Sequence, residues 1–393
     1  MKKFKEYLEK LRLAKNLSEF PVRKDHNYTV SFIMPEINST EGIYRTLLPS
    51  MHLNSKTTIR AIPVGLSEQS ESLSINQKDY NVRRGLAEIS DHIVFPFVSY
   101  PLEPILTQLK SVNKKLKFSY YIDFNYYFLP DSYPFMDEYS MAEAIASIEK
   151  NITLADQVIV TNHSLYNYLH LELSKKENIK GCNTNICYQP LYFDKELIDE
   201  VFFPADDEKK KKGKKRFGMV MNQSHFSDLS FIKGILKEFL KNHSGSAELV
   251  LLGWNGDYKG KNYLSNIEVE YHPSVSFADY FQKLVDLNID CFLIPAKPNK
   301  FNDTSKNIVK FYDFTRINKP VILPDIEPYK KIAKHNDSAV LCHDKDSWKF
   351  EMEVFLKDPQ KYEGLADRAF VSIIENEISD PDNLKILMEI YEI

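Results

Sequence analysis

The chain has 393 residues, of which 43% are hydrophobic and 27% are charged, and its formal net charge is −4. A chain of this length is expected to form two domains of about 100–200 residues each. The small net negative charge gives no support to a nucleic-acid partner, and no apolar run reaches the ~18–20 residues of a membrane span. The four cysteines form no C-x-x-C pair and have no histidine at metal-ligand spacing, which predicts reduced thiols, no metal site and a cytoplasmic protein.

Residues 1–24 predict an amphipathic helix. Phe4, Leu8 and Leu11 recur at helical spacing, with lysines between them. Two interpretations remain open: a basic helix that contacts anionic lipid at the inner face of the membrane, or a helix that packs on its own domain. The glutamates of this stretch dilute its positive charge and favour packing.

Residues 25–203 predict a first α/β domain. Its apolar, β-rich segments are YTVSFIMP, TTIRAIPV, DHIVFPFV, KFSYYIDF, DQVIVT and CYQPLYF, and several helical segments alternate with them. This alternation is typical of a doubly wound parallel sheet. Residues 204–216 are dominated by charge without apolar periodicity, which is typical of a solvated linker.

Residues 217–375 predict a second α/β domain, with strands in RFGMVMN, AELVLLGW, IEVEYHP, DCFLIPA, KPVILPD and SAVLCHD. One of its predicted helices runs from Lys306 to Arg316. Residues 376–393 predict a C-terminal helix. One interpretation is that this helix crosses back to the first domain. Two such domains would face each other across a cleft, with ligands at the carboxyl ends of their strands.

The segment from Asp303 to Tyr329, DTSKNIVKFYDFTRINKPVILPDIEPY, carries a resemblance to a known family. It is similar to the donor domain of retaining glycosyltransferases of family 4, in the bacterial surface-polysaccharide branch. The segments MNQSHFSDLSFIKGIL, LVLLGWNG, KFSYYIDFNYYFLP and LADQVIVTNHSLYNYL resemble other parts of that family in the same order along the chain.

The resemblance implies a GT-B fold of two Rossmann-like domains. It also implies a hexosyltransferase that moves a sugar, with retention, from a UDP- or GDP-sugar to an acceptor hydroxyl, without a metal or a further cofactor. The acceptor would be a glycan, a lipid-linked molecule or a protein, in surface-glycan or polysaccharide synthesis.

Lys306 and Lys310 are four residues apart, so on one helix they share a face. We expect them to contact the donor phosphate or the transferred sugar, because a metal-free enzyme must stabilise the leaving diphosphate with cations. The alternative is a solvated helix face. The family places an acid at the position of Asp313 to bind ribose hydroxyls; the alternative for Asp313 is a salt bridge to Lys310.

Asn222, Ser224 and His225 lie in a loop before a predicted helix, where backbone N–H groups meet phosphate. His225 is a candidate donor to the diphosphate, and a structural histidine is the alternative. Gly253 either allows close approach of the backbone to the nucleotide or forms a plain turn.

In the first domain, Asp123 follows a predicted strand and is a candidate to position or deprotonate an acceptor hydroxyl. A buried structural aspartate is the alternative. Arg45, in the loop after the first strand, is a candidate for binding donor phosphate or an anionic acceptor.

Two departures from the family pattern support another function. Ser305 stands where the family has its first acidic residue, and the loop SYPLEP lacks a histidine that many relatives have. A transferase-like binding subunit that has lost catalysis and supports a partner enzyme is therefore an alternative. A transferase acting on modified DNA bases is a third possibility, which requires a basic track for the duplex.

Overall fold

The computed structural model describes residues 24–34, 42–65, 84–130, 141–175, 184–189, 213–254, 257–258, 261–373 and 381–391. Two compact units share the chain: unit 1 comprises residues 1–126, 139–200 and 377–393, and unit 2 comprises residues 127–138 and 201–376. The predicted N-terminal helix, except for its last residue, and linker residues 204–212 lie outside the described residues. In the part of the chain that is described, the helices lack the combination of length and apolar character that crossing a bilayer requires.

Unit 1 is built on a parallel six-stranded sheet with the order β2-β1-β3-β4-β5-β6. Its strands are β1 (Tyr28–Met34), β2 (Ile59–Gly65), β3 (His92–Phe95), β4 (Lys117–Ile122), β5 (Gln157–Val160) and β6 (Asn185–Tyr188). The strands are rich in Val, Ile, Phe and Tyr and are buried over most of their length, as expected of a sheet covered by helices on both faces.

The helices of unit 1 connect these parallel strands. A π-helical turn, Ile43–Leu47, leads into α1 (Leu48–Lys56), and α2 (Glu103–Val112), α3 (Met141–Leu154) and α4 (His163–Leu173) follow. Residues 84–89 are also helical. Helix α4 was not among the helices predicted from the sequence. It begins where the Asn162 side chain accepts hydrogen bonds from two backbone N–H groups.

The C-terminal helix, Pro381–Tyr391, belongs to unit 1 although unit 2 precedes it in the chain. Its last residue, Tyr391, is fully buried and donates a hydrogen bond of 2.7 Å to Oε1 of Gln189. The side chain of Gln157 donates to the backbone carbonyl of Ile390 over 2.8 Å. The end of the chain therefore completes the core of the first sheet.

Unit 2 contains a second parallel six-stranded sheet, with the order β11-β8-β7-β12-β13-β14. Its strands are β7 (Lys215–Met221), β8 (Ala247–Gly253), β11 (Val269–Pro273), β12 (Cys291–Leu293), β13 (Val321–Pro324) and β14 (Val340–Cys342); a short antiparallel pair, β9 (Asp257–Tyr258) and β10 (Lys261–Asn262), lies outside the sheet. Its helices are α5 (Phe226–Asn242), α6 (Phe277–Asp286), α7 (Lys300–Ser305), α8 (Val309–Arg316), α9 (Glu327–Lys330), α10 (Lys345–Lys357) and α11 (Leu365–Ile373).

The strand order of unit 2 has a topological switch point between β7 and β12. Counted from β7, the six sheet strands run 3-2-1-4-5-6, so the chain leaves these two neighbouring strands toward opposite sides. The loops beyond their carboxyl ends diverge and leave a crevice, which is where open α/β sheets bind ligands. A ligand-binding site is therefore expected in the segments after β7 and after β12.

The predicted helix from Lys306 to Arg316 is wrong at its start. Helix α7 ends at Ser305, Lys306 has the extended ψ of 131°, and α8 begins only at Val309. Between the two helices, the side-chain oxygen of Asn307 accepts a hydrogen bond of 3.3 Å from the backbone N–H of Val309. An asparagine that bonds its own backbone two residues on favours a turn over a continuous helix, and so Lys306 and Lys310 lie on different elements.

Candidate functional site

The segments beyond β7 and β12 bring together four side chains with complementary chemistry. His225 and Asp228 come from the turn after β7 and the first turn of α5, and Lys306 and Lys310 come from the end of α7 and the first turn of α8. Since β7 and β12 are paired in the sheet, their carboxyl ends are adjacent. We call these four residues the His-Lys cluster.

Asn222, the first residue after β7, organises the turn that carries the histidine. Its Oδ1 atom accepts hydrogen bonds from the backbone N–H of Ser224 over 3.1 Å and from the Ser224 hydroxyl over 2.6 Å. The Nδ1 atom of His225 lies 2.7 Å from the same oxygen. The three residues that the sequence predicted together thus form one local cap before α5.

The imidazole of His225 contacts the ammonium group of Lys310, with 2.8 Å between Nε2 and Nζ. An ammonium group can only donate, so Nε2 accepts and the ring proton sits on Nδ1, which donates to Asn222. Burial, followed by the charges of Lys310 and Lys306, lowers the pKa of His225 well below its ordinary value. The imidazole is therefore neutral at neutral pH.

Asp228 ties α5 to the segment after β12. It is 4% exposed, and its Oδ1 atom accepts from the backbone N–H of Lys297 over 3.0 Å and from the Asn302 amide over 2.8 Å. Its Oδ2 atom accepts from the Lys306 ammonium over 2.6 Å. Asp228 and Asn302 were not among the predicted site residues; the available signal was an acidic residue in the first turn of the helix that follows the loop.

Asp313, the predicted ribose ligand, lies on α8 three residues after Lys310 and has no exposed surface. A ribose hydroxyl reaches this carboxylate only after neighbouring side chains move. Asp313 is thus close to the His-Lys cluster along the chain, and its side chain is buried.

Gly253 ends β8 with a φ of +104°, a conformation that L side chains rarely adopt. A Cβ atom placed there would lie 2.4 Å from the backbone oxygen of Met221 on the neighbouring strand. Gly253 therefore permits a close approach between two strands of the protein, and the predicted approach of its backbone to a nucleotide stays a prediction.

In unit 1, Arg45 and Asp123 form an ion pair with each other. The guanidinium lies 2.5 Å from Oδ2 of Asp123, and the two side chains are 12% and 13% exposed. Arg45 lies in the helical turn after β1 and not in a loop, and Asp123 directly follows β4. The two residues were predicted separately, Arg45 for donor phosphate or an anionic acceptor and Asp123 for an acceptor hydroxyl, and the structure joins them.

The His-Lys cluster has the chemistry of an anion site. Two ammonium groups, the carboxylate of Asp228 and a neutral imidazole give the cluster a net positive charge, and α5 begins there with the positive end of its dipole. Among the residues that the structure describes, no group of three or more His, Cys, Asp or Glu side chains is placed to hold a metal ion.

The sequence matches no protein-family model and no curated protein. Solved structures do resemble the chain. HepE of Anabaena, in complex with UDP-glucose, aligns with a TM-score of 0.62 at 12% identity, over 93% of this chain and 100% of that one. The sucrose-phosphate synthase of Thermosynechococcus elongatus aligns with a TM-score of 0.57 at 13% identity, over 93% and 98% of the two chains. A glycosyltransferase from Rickettsia africae aligns with a TM-score of 0.55 at 12% identity, over 93% and 98%.

These alignments extend over both units, each of which has a parallel six-stranded sheet with helices between its strands. The expected fold class is thereby confirmed: the chain has the two-domain α/β fold of GT-B glycosyltransferases.

Proposed function

We propose that this chain transfers a sugar from a nucleotide-diphosphate sugar to an acceptor hydroxyl. The observation that carries the proposal is the contact between Lys310 and His225 at the switch point of unit 2, with Lys306 beside it. The GT-B fold and the position of this contact at the switch point support it as the proposed binding place of a donor diphosphate.

The leaving diphosphate gains negative charge as its bond to the sugar breaks. Lys310 is placed to stabilise that charge, because it lies in the first turn of α8 and its ammonium group lies against the neutral imidazole of His225. Preorganised cations and helix N-termini stabilise such a developing charge without a metal ion. We therefore propose metal-independent transfer, which predicts full turnover in the presence of EDTA.

UDP is the nucleotide that we propose first, with GDP as the alternative. Support comes from the similar HepE structures, which were solved in complex with UDP and glucose and with UDP-glucose. Asp313 is the proposed ribose ligand, which requires a side-chain movement on donor binding because it is fully buried.

Asp123 is the proposed group that positions the acceptor hydroxyl. Its ion pair with Arg45 fixes the carboxylate at the carboxyl end of β4 and stabilises its charged form. A carboxylate held in this way accepts a hydrogen bond from a hydroxyl more readily than it takes the proton itself. We therefore propose that Asp123 orients the acceptor hydroxyl more than it deprotonates it.

The chain would act in surface-glycan or polysaccharide synthesis and retain the anomeric configuration. Both parts of this proposal rest on the resemblance of the Lys306–Tyr329 segment to family 4. Proton NMR of the transfer product distinguishes an α- from a β-linked sugar, and comparison with the anomeric configuration of the donor tests retention.

The alternative is a binding subunit without its own turnover. It is favoured by Ser305, which is 9% exposed and supplies no carboxylate where the family has one. In this case the chain binds the nucleotide sugar, and activity appears only with a partner enzyme.

The test is nucleotide binding and donor turnover with the full chain. UDP-, GDP- and dTDP-sugars are supplied, and the melting temperature and the release of nucleotide are measured. Lys310→Ala should abolish the thermal shift with UDP, whereas Lys334→Ala, which changes an exposed lysine of unit 2, should leave it unchanged. Binding without turnover supports the subunit alternative, and the absence of both binding and turnover refutes both proposals.

A further inference from the structure

Unit 2 contains an open cavity of about 820 Å³ next to the start of α5. Its wall is formed by the first turns of α5, the segment between β12 and α7, the start of α10, and the residues Phe128, Leu129 and Pro130. None of the four residues of the His-Lys cluster lines it. It is therefore a concave surface next to the proposed donor site, since Phe226 and Ser227 of its lining stand between His225 and Asp228 in the chain.

Lysines supply all the formal charge of this cavity. Lys297, Lys300 and Lys345 line it, and the lining contains no aspartate or glutamate. Within the described part of the chain, none of the three ammonium groups forms an ion pair with a carboxylate. Three cations that converge on a cavity without an acidic partner favour an anionic ligand.

Aromatic rings hold two of these cations in place. The Nζ atom of Lys300 lies 5.3 Å from the ring centroid of Phe128, and that of Lys345 lies 5.5 Å from the ring centroid of Phe231. A cation over an aromatic face is attracted to it by about 0.5–1 kcal/mol at an exposed site. The lysines are thereby biased toward the cavity before any ligand arrives.

The remaining lining suits a ligand that is both flat-faced and rich in hydroxyl groups. Phe226 and Phe301 add further rings, and Ser227 and Ser230 add hydroxyl groups. The side-chain oxygen of Asn299 is already engaged, since it accepts from the backbone N–H of Asn302 over 2.8 Å. Sugar rings pack C–H faces on aromatic side chains and exchange hydrogen bonds with hydroxyl groups.

We propose that this cavity binds an anionic saccharide. The sugar ring packs on the phenylalanines, and its phosphate or carboxylate is held by Lys297, Lys300 and Lys345. Use of this saccharide as the acceptor rests on the proposed transferase function, whereas its binding does not.

The binding test uses the full chain and four probes in ligand-observed NMR: glucose 6-phosphate, glucuronate, glucose and inorganic phosphate. We expect at least one of the two anionic sugars to bind about tenfold more tightly than both glucose and phosphate, since hydrogen bonds to a charged group contribute ~1.5–3 kcal/mol. The tighter of the two identifies a phosphorylated or a uronic acid ligand. Equal affinity for glucose removes the anionic requirement, and equal affinity for phosphate removes the saccharide; either result overturns the proposal.

Matched charge variants locate the binding. The triple variant Lys297→Gln, Lys300→Gln, Lys345→Gln should weaken binding of the anionic sugar about tenfold or more. The control triple variant changes three exposed lysines of unit 2 outside the cavity, Lys241→Gln, Lys334→Gln and Lys361→Gln, and alters the net charge equally. Equal weakening in both variants indicates general electrostatics and contradicts the site.

A ring variant tests the saccharide part without a change of charge. Phe301→Leu, which leaves Phe128 and Phe231 beside Lys300 and Lys345, should weaken the anionic sugar while inorganic phosphate binds as it does to the unaltered chain. Unchanged sugar binding in this variant and in the cavity triple variant together would leave no role for the cavity.

Titration of UDP separates this proposal from the proposed function. The cavity triple variant should still bind UDP, and Lys310→Ala should still bind the anionic sugar. If the cavity variant loses UDP and sugar alike, the cavity is part of the nucleotide site and the proposal is wrong. If the chain binds the sugar but no nucleotide, the proposed function fails and the saccharide site stands.

Discussion

The ammonium group of Lys310 lies 2.8 Å from Nε2 of His225, across 85 residues of sequence. This contact keeps the imidazole neutral, because burial and the two nearby lysines oppose its protonation. An anion that binds at the lysines changes this balance. It stabilises the imidazolium, so anion binding and proton uptake are expected to be linked.

The first prediction concerns the pH dependence of UDP binding. The pKa of His225 is well below its ordinary value in the free protein and should rise when a diphosphate binds, so the complex binds more protons than the free protein. Affinity should therefore increase as the pH falls from 7.5 to 6.0, by no more than about tenfold per pH unit. Calorimetry in two buffers of different ionisation enthalpy measures the proton uptake directly.

His225→Asn is the control for this linkage. The titration of UDP itself is common to both proteins, so the difference between their pH profiles belongs to the imidazole. Identical profiles would show that His225 has only a structural role in the turn.

The second prediction is that Asp228→Asn destabilises unit 2. Asp228 is nearly buried and neutralises Lys306, whose side chain is 15% exposed. Breaking a buried ion pair on one side costs about 3–5 kcal/mol, and the partial exposure of Lys306 reduces this to about 2–4 kcal/mol. The free energy of unfolding, followed by the fluorescence of Trp254 and Trp348, measures the effect.

Two further variants check the cause. Asp346→Asn removes an exposed aspartate from the first turn of α10 and should change stability by less than about 0.5 kcal/mol. Asp228→Asn combined with Lys306→Met should be more stable than Asp228→Asn alone. A double variant as unstable as the single one would mean that the lost backbone and Asn302 contacts, and not the charge, set the cost.

The third prediction compares two glycines of unit 2. Gly253→Ala forces a side chain into a left-handed conformation and against the carbonyl oxygen of Met221, and should cost at least about 2 kcal/mol. Gly234→Ala, within α5, meets nothing within 4 Å and should stabilise the unit by up to ~1 kcal/mol. Urea unfolding of both variants measures whether each substitution lowers or raises the free energy of unfolding. An unchanged free energy of unfolding in Gly253→Ala would contradict the backbone geometry at this glycine.

The fourth prediction concerns the acid stability of unit 1. Burial, followed by the charge of Lys117, lowers the pKa of His92 to about 3, and its ring accepts or donates a hydrogen bond of 2.6 Å with Ser119. Below about pH 6.5 the unfolded chain binds a proton that the folded unit does not. The stabilisation is complete above that pH and is lost as the pH falls toward 3, by about 1.4 kcal/mol per pH unit.

His52 also contributes to the loss of stability at low pH, because burial lowers its pKa to about 3. His92→Gln should therefore reduce, and not abolish, the loss of stability between pH 5.5 and 4.5. Since both tryptophans lie in unit 2, hydrogen exchange of peptides from β3 and β4 is the suitable readout. An unchanged slope in His92→Gln would show that His92 titrates normally.

The fifth prediction concerns the ion pair of unit 1. Asp123→Asn should lower kcat by about a hundredfold or more while UDP affinity stays the same, because Asp123 is proposed to act on the acceptor. The double variant Arg45→Met, Asp123→Leu distinguishes this role from a structural one. If the double variant recovers turnover, the pair serves folding alone and the acceptor role is wrong.

Much of the fold could be read from local sequence patterns. Apolar, β-rich segments from Tyr28 to Cys342 predicted the strands of both sheets, and their alternation with helices predicted the doubly wound class. Asn318 has a φ of +53°, and asparagine is among the few residues that tolerate this conformation. Such features depend on neighbours in the chain, so one sequence reveals them.

The sequence by itself therefore determined the element pattern and the α/β fold class, and it predicted the segments in which chemistry would reside. Only the tertiary structure decided which side chains meet: Lys306 with Asp228 and Arg45 with Asp123, each 78 residues apart, and Lys310 with His225. The two lysine contacts arise because β12 pairs with β7, and the Arg45–Asp123 pair arises because β1 and β4 both pair with β3. Strand order is set by packing between distant segments, and no local spacing in the chain encodes it.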